Sequence, residues 1–163
     1  MADNRRYSTF FLNNICFGVP IEDVQEFMEH QHITRVPLAP PVLPGIINLR
    51  GQILTTIDLR IRLGLTSVLQ SENPMMMVIR ISEGSMNLLV DKIGMVLDVD
   101  SKLFEKPAET LKPAVRDVTL HVCKQDQQLL LVLDTEKLIH VYRDDPSHDR
   151  EACAPQGLEH SHQ

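Results

Sequence analysis

Short apolar runs, each closed by a turn-forming residue, recur along almost the whole chain, and they limit what it can fold into. Runs of five to eight residues with period-two alternation, punctuated by Asn, Gly, Asp and Pro, form strands rather than helices. Strands are expected near 7–12, 15–20, 26–33, 45–49, 52–57, 75–82, 86–91, 94–99, 118–124 and 128–133. Ten short strands in about 130 residues imply barrels or sandwiches.

The punctuation sets the hairpins. Asn13-Asn14 can take positive φ between two apolar runs, Gly84 does the same later in the chain, and Gly51 serves the segment GIINLRGQILTTIDLRIRLG, residues 45–64. Alternation there puts Ile47 and Leu49 on one side and Ile46, Asn48 and Arg50 on the other, so Arg50 points away from at least one packed face. Two helices are marked by caps. Asp58 ends one strand and can accept from the first free amides of LRIRL, with Gly64 as the left-handed terminator. Asp134 does the same before TEKLIHVY, where Glu136 suits the first turn.

Asp58 and Asp134 lie 76 residues apart, and IEDVQEF (21–27) is echoed by VDKIGMV (90–96) at an offset of 69. Similar offsets point to an internal duplication. The expected division is a first five-stranded barrel at about 7–66, a linker at 66–74, a second barrel at about 75–134, and a helix at about 135–142 packing back. Each barrel of roughly 65 residues would be marginal alone, so the two share a core. The strand LLLVL (129–133), apolar on both sides, is the expected seam. RVPLAPPVLPG, with Pro37, Pro40, Pro41 and Pro44, reads as an extended connection.

Composition narrows the function. Hydrophobic residues make up 43% of the 163-residue chain and charged residues 23%, as in soluble globular proteins, while aromatics are only 4% and Trp is absent, so the core is aliphatic. Cys16, Cys123 and Cys153 fit neither a disulfide framework nor a thiolate zinc site. The first residues lack a signal-peptide core, and no apolar run is long enough to span a bilayer, so neither export nor membrane insertion is expected. The net charge of −6 is concentrated in residues 144–163, where five acids face one arginine; this stretch reads as a disordered acidic tail. With no basic stripe on the remainder, nucleic acid is not an expected partner.

Catalytic constellations are missing: there is no GxxxxGK[ST], GxGxxG, HExxH or GxSxG. No metal site or cofactor is expected. His30 and His32 would share one strand face without a third ligand, His148, His160 and His162 fall in the tail, and His121 and His140 sit alone in apolar stretches. Glu22, Asp23, Glu26 and Glu29 read as a solvated acidic face, and the two PxxP spacings as a rigid connection rather than a ligand for an SH3-type groove. Asp58, Arg50 and His121 could instead converge in a polar pocket of a small-molecule-binding or hydrolytic barrel. Arg50, at a hairpin tip, is either a solvated charge or a group offered to a partner.

Four segments in order, FFLNNICFGVPIEDVQEFM, ITRVPLAPPVLPGIINLRGQILTTIDLRIRLGL, LLVDKIGMVLDVD and LLLVLDTEKL, resemble the CheW family of bacterial chemotaxis coupling proteins over about residues 8–140. The resemblance implies an all-β fold with short helices, two SH3-like five-stranded β-barrel subdomains packed on a shared hydrophobic core. It implies a non-enzymatic cytoplasmic adaptor recruited to membrane-associated arrays, binding the regulatory domain of the histidine kinase CheA and the cytoplasmic tip of methyl-accepting chemoreceptors. By motif, Val24 falls in the family's receptor-contacting segment, and Gly45, Asn48, Leu49, Arg50 and Gly51 form a G-x-x-N-L-R-G loop at the receptor groove. Kinase contacts are expected on the barrel ends. A related system governing pili or biofilm is the alternative within the same class. Two positions depart from the pattern: His121 stands where the family usually has glycine, and Gln127 where a small turn residue is common.

Overall fold

The computed structural model describes residues 3–65 and 73–143. Most of the expected linker, the expected acidic tail with Cys153, His148, His160 and His162, and the side chain of His140 lie outside the described residues.

Ten strands form two five-stranded sheets: β1 (Asn4–Leu12), β2 (Ile15–Pro20), β3 (Val24–Glu29), β4 (Gly45–Leu49), β5 (Gln52–Asp58), β6 (Met75–Ile81), β7 (Gly84–Val90), β8 (Lys92–Asp100), β9 (Thr119–Gln125) and β10 (Gln128–Leu133). Among the described residues there are also three α-helices, α1 (Leu59–Arg62), α2 (Pro113–Arg116) and α3 (Thr135–Arg143), and two short 3-10 turns. One-turn α2, opened by Pro113 at its first position, has no counterpart in the sequence reading, which placed only two helices.

The expected division near residues 66–74 does not describe the pairing. One sheet has the order β3-β6-β7-β5-β4 and is contiguous in sequence; the other, β8-β1-β2-β10-β9, combines the first two strands with the last three. The duplication is nonetheless present, in permuted form. The two orders superpose with β3, β4, β5, β6 and β7 standing for β8, β9, β10, β1 and β2. The correspondence extends to single residues: β5 pairs in parallel with β7 (Thr56 opposite Asn87), as β10 pairs with β2 (Val132 opposite Gly18). The Thr34–Ile46 bridge closes one barrel where Glu105–Val122 closes the other. The sequence echoes at offsets 69 and 76 fall on equivalent strands, β3 with β8 and β5 with β10. A one-residue bulge accompanies β3 and β8 alike, at the same place in each pairing.

Alternation along each strand sorts side chains between three cores. On β10, Leu131 and Leu133 enter a central core shared by both sheets, whereas Leu130 and Val132 fill the strand's own barrel, so LLLVL is the expected seam. Phe10 and Phe17 stack at 5.8 Å in the central core, against Ile57, Met77, Ile79 and Leu88 of the other sheet. Met28, Ile47, Leu54, Met76 and Val78 fill the β3–β7 barrel.

Reciprocal polar braces bracket the central core. In the first turn of α1, the guanidinium of Arg60 donates to both carboxylate oxygens of Asp91 at 2.8 and 2.7 Å, and Asp91 also accepts from the amide of Asn13 in the β1–β2 turn. In the first turn of α3, Glu136 accepts from the amide and hydroxyl of Ser82 in the β6–β7 turn, both at 2.8 Å. Each helix thus follows one sheet and is tied to a hairpin of the other. Both caps are as expected: Asp58 accepts from the Arg60 amide at 3.0 Å, Asp134 from the Glu136 amide at 3.0 Å, and Gly64 is left-handed at φ 69°.

Two local expectations are corrected. β3 begins at Val24, directly after a 3-10 turn, and ends at Glu29 because its partner β6 starts opposite, at Met75; His30 and His32 therefore lie beyond the strand. The proline segment is folded into two turns, Val36–Ala39 and Pro40–Leu43, each with a bond from the fourth amide to the first carbonyl. Pro37 and Pro41 occupy the second turn position, where their fixed φ is an advantage. Val42 then accepts from the Asp58 amide at 2.9 Å, pinning the segment to the end of β5.

Candidate functional site

The β4–β5 hairpin is closed by Arg50 and Gly51 alone, with Leu49 paired to Gln52. Both loop residues have positive φ, 50° and 87°, the geometry of a turn whose twist matches the flanking strands. Glycine adopts it freely; an arginine in the left-handed region costs about 1–2 kcal/mol. Asn48 supports the turn by accepting from the Gly51 amide at 2.9 Å. A strained, non-glycine tip that carries a charge is the kind of outlier that clusters at functional positions.

Arg50 is 72% exposed but not unpartnered. Its two terminal nitrogens donate to the two carboxylate oxygens of Glu26 on β3, one at 3.2 Å and the other closer. The hydrogen bond from Arg50 and its positive charge hold the Glu26 carboxyl below its usual range, and Glu26 in turn raises the guanidinium. β3 and β4 are the two edges of their sheet, so the pair spans the seam at which the barrel closes. Between them lies a recess of about 300 Å³ lined by Gln25, Glu26, Leu49, Arg50, Gln52 and Val78. Ile53, 58% exposed, and Phe27, 42% exposed, are large apolar side chains on β5 and β3.

Among the expected contact residues, the recess brings together only Leu49 and Arg50. Val24 is half-buried against the central core, on the far side of the β3 bulge. Gly45 is buried at the opposite end of β4, where a Cβ would lie 2.1 Å from the Thr34 carbonyl oxygen; its glycine is required by close backbone approach. Asn48 and Gly51 shape the turn. Glu26 was missed as a distinct residue, because strand alternation says nothing about a partner 24 positions away across a barrel seam.

The polar-pocket alternative has no geometric support. Asp58 caps α1 beside Arg60, its carboxyl raised chiefly by burial; Arg50 is held by Glu26; and the His121 ring stacks on Phe104 at 4.7 Å and 5° in the other barrel. Cys16 and Cys123 are buried free thiols, and burial raises the Cys16 thiol. Among the described residues no group of three or more His, Cys, Asp or Glu side chains could hold a metal ion, and no helix is long and apolar enough to cross a membrane.

Paired SH3-like barrels on a common core, with a charged hairpin tip at a barrel mouth, define a scaffold that works by surface recognition. The chain belongs to the CheW-like domain family, which it matches over residues 6–143, a family of chemotaxis coupling adaptors. It is similar to the chemotaxis protein CheW of Klebsiella aerogenes (26% identical, covering 83% of this chain and 81% of that protein) and to that of Bacillus subtilis (28% identical, 80% and 83%). The crystal structure of the scaffolding protein TtCheW from Thermoanaerobacter tengcongensis superposes with a TM-score of 0.74 at 28% identity, covering 85% of this chain and 92% of that one.

Proposed function

We propose that this adaptor links the cytoplasmic tip of a methyl-accepting chemoreceptor to the regulatory domain of the histidine kinase CheA, without catalysis of its own, in the cytoplasm at membrane-associated receptor arrays. The observation that carries this reading is the left-handed Arg50 tip, exposed and oriented by Glu26. A guanidinium held by one carboxylate keeps donors free for a second, so an acidic residue on a receptor helix can join the pair while Leu49 and the neighbouring aliphatic side chains bury against that helix. Asn48 and Gly51 then act by shaping the hairpin tip, Gly45 by letting the Thr34 backbone close against β4, and Val24 by anchoring the start of β3.

The test is a reconstituted assembly of receptor, kinase and adaptor. Arg50→Glu is expected to abolish kinase activation and receptor binding while the circular dichroism spectrum stays unchanged. The charge-swapped variant Glu26→Arg with Arg50→Glu restores the internal pair but not coupling. Full coupling by either variant would remove Arg50 from the receptor contact.

A further inference from the structure

The strand-for-strand equivalence of the two barrels gives the Arg50 recess a counterpart. By pairing register, Gln25, Glu26, Leu49, Arg50, Gln52 and Val78 correspond to Gly94, Met95, Gln125, Asp126, Gln128 and Thr9. All six of these counterparts line one groove of about 1100 Å³ on the other barrel, against about 300 Å³ for the recess. Position is kept and chemistry is exchanged. Asp126 sits at φ 51°, the same left-handed tip as Arg50 at 50°. Met95, 77% exposed, stands where Glu26 does, so no ion pair draws the lips together. Gly94 replaces a glutamine, and a Cβ there would lie 2.4 Å from the Thr9 hydroxyl.

The groove wall is apolar, with Phe11, Phe17, Leu97, Val115 and Leu131 among its lining residues. Ile15 and Leu129, 36% and 39% exposed, belong to the same lining. Lys112 also lines it, but its ammonium is turned to the Gly64 carbonyl at 3.4 Å. The Asp126 carboxylate has no hydrogen bond or ion pair among the described residues.

We propose that this groove is a second docking site, for an amphipathic helix of another protein that carries one lysine or arginine to meet Asp126. Charge complementarity selects the basic residue. A lip residue as exposed as Met95 stands beyond the reach of a small molecule seated below it, whereas a helix laid across the groove covers it; flexible methionine suits such surfaces. Addition of an extended strand is disfavoured, because the bulge in β8 beside Met95 interrupts the row of edge amides. The inference stands on the internal equivalence and does not require Arg50 to contact a receptor.

The probe is a fluorescein-labelled helical peptide of about five turns, with a leucine stripe and one central arginine, compared with a twin carrying glutamate instead. Fluorescence anisotropy is expected to show saturable binding of the arginine peptide and about tenfold weaker binding of the twin. Asp126→Arg reverses that order. Met95→Glu combined with Asp126→Arg rebuilds the clip of the other barrel and weakens both peptides by at least about tenfold. Equal binding of the two peptides, indifference to both variants, or loss of binding in Arg50→Glu overturns the proposal. So does sedimentation showing that the chain self-associates through this groove and releases on Asp126→Arg, which would make the occupant a second copy.

Discussion

The β3–β7 barrel and the barrel built from β1, β2, β8, β9 and β10 share strand order, turn positions, a bulge, a closing bridge and an aspartate helix cap, yet differ at several other polar points of contact. Gly45 corresponds to His121: the closing bridges beside them are equally short, 2.8 and 2.9 Å in both barrels, but one position has no room for a side chain against Thr34 while the other carries a ring stacked on Phe104, which meets Tyr7 edge-on at 5.9 Å. A buried Asn87–Thr56 hydrogen bond of 3.0 Å corresponds to Gly18 and Val132, which leave no polar group to satisfy. Arg50 with Glu26 corresponds to Asp126 with Met95. A five-stranded barrel of this size is thus specified by apolar alternation and turn placement, and the chemistry at its mouth can diverge once those are kept.

The sharpest way to break the comparison is to exchange the closing residues. Gly45→His is expected to cost more than about 3 kcal/mol, because its Cβ has no room against the Thr34 carbonyl; His121→Gly loses a ring stack and adds chain entropy, about 1–2 kcal/mol. Urea melts of both measure the asymmetry. Next come the two faces of β10. Leu131→Ala and Leu130→Ala each remove about 2–5 kcal/mol, but hydrogen exchange should show protection falling in both barrels for Leu131 and in one barrel for Leu130.

The cross-braces give a smaller contrast. Arg60→Ala strands a carboxylate only 15% exposed and is expected to cost about 2–4 kcal/mol; Glu136→Ala, at an exposed contact, costs about 1 kcal/mol. Thermal melts compared at equal concentration test this ranking. Smallest is the acid limb. The folded-state carboxyl of Glu26 is lowered by Arg50, so its contribution is present above the unfolded value of 4.5 and is lost as pH falls through the folded one. Glu26→Gln is expected to flatten stability against pH in that window. Asp58 works in the opposite sense, since burial raises its folded carboxyl and its penalty grows as pH rises above 3.8.

Strands were legible in the sequence because alternation and turn chemistry are local, and the Asp58 and Asp134 caps for the same reason. Connectivity was not. The offsets of 69 and 76 reveal a repeat, but a permuted repeat and a tandem one produce the same echoes, and pairing β1 with β8 requires contacts more than 80 residues apart, such as Tyr7 with Leu97. The proline segment was misjudged because Leu38 takes a φ of 68° that its residue type does not advertise. At the site, the tip and its arginine could be found from the turn, whereas Glu26 and the Met95–Asp126 groove depend on how each barrel closes.

The permuted connectivity has a consequence for synthesis. All strands of the β3–β7 barrel leave the ribosome within one continuous stretch, so that barrel can assemble while translation proceeds. β1 and β2, made first, must wait for β8, β9 and β10, made last. During that interval the β1–β2 hairpin lacks the other strands of its own sheet, and the core surface that Phe10 and Phe17 share with the neighbouring barrel is the apolar cover already made.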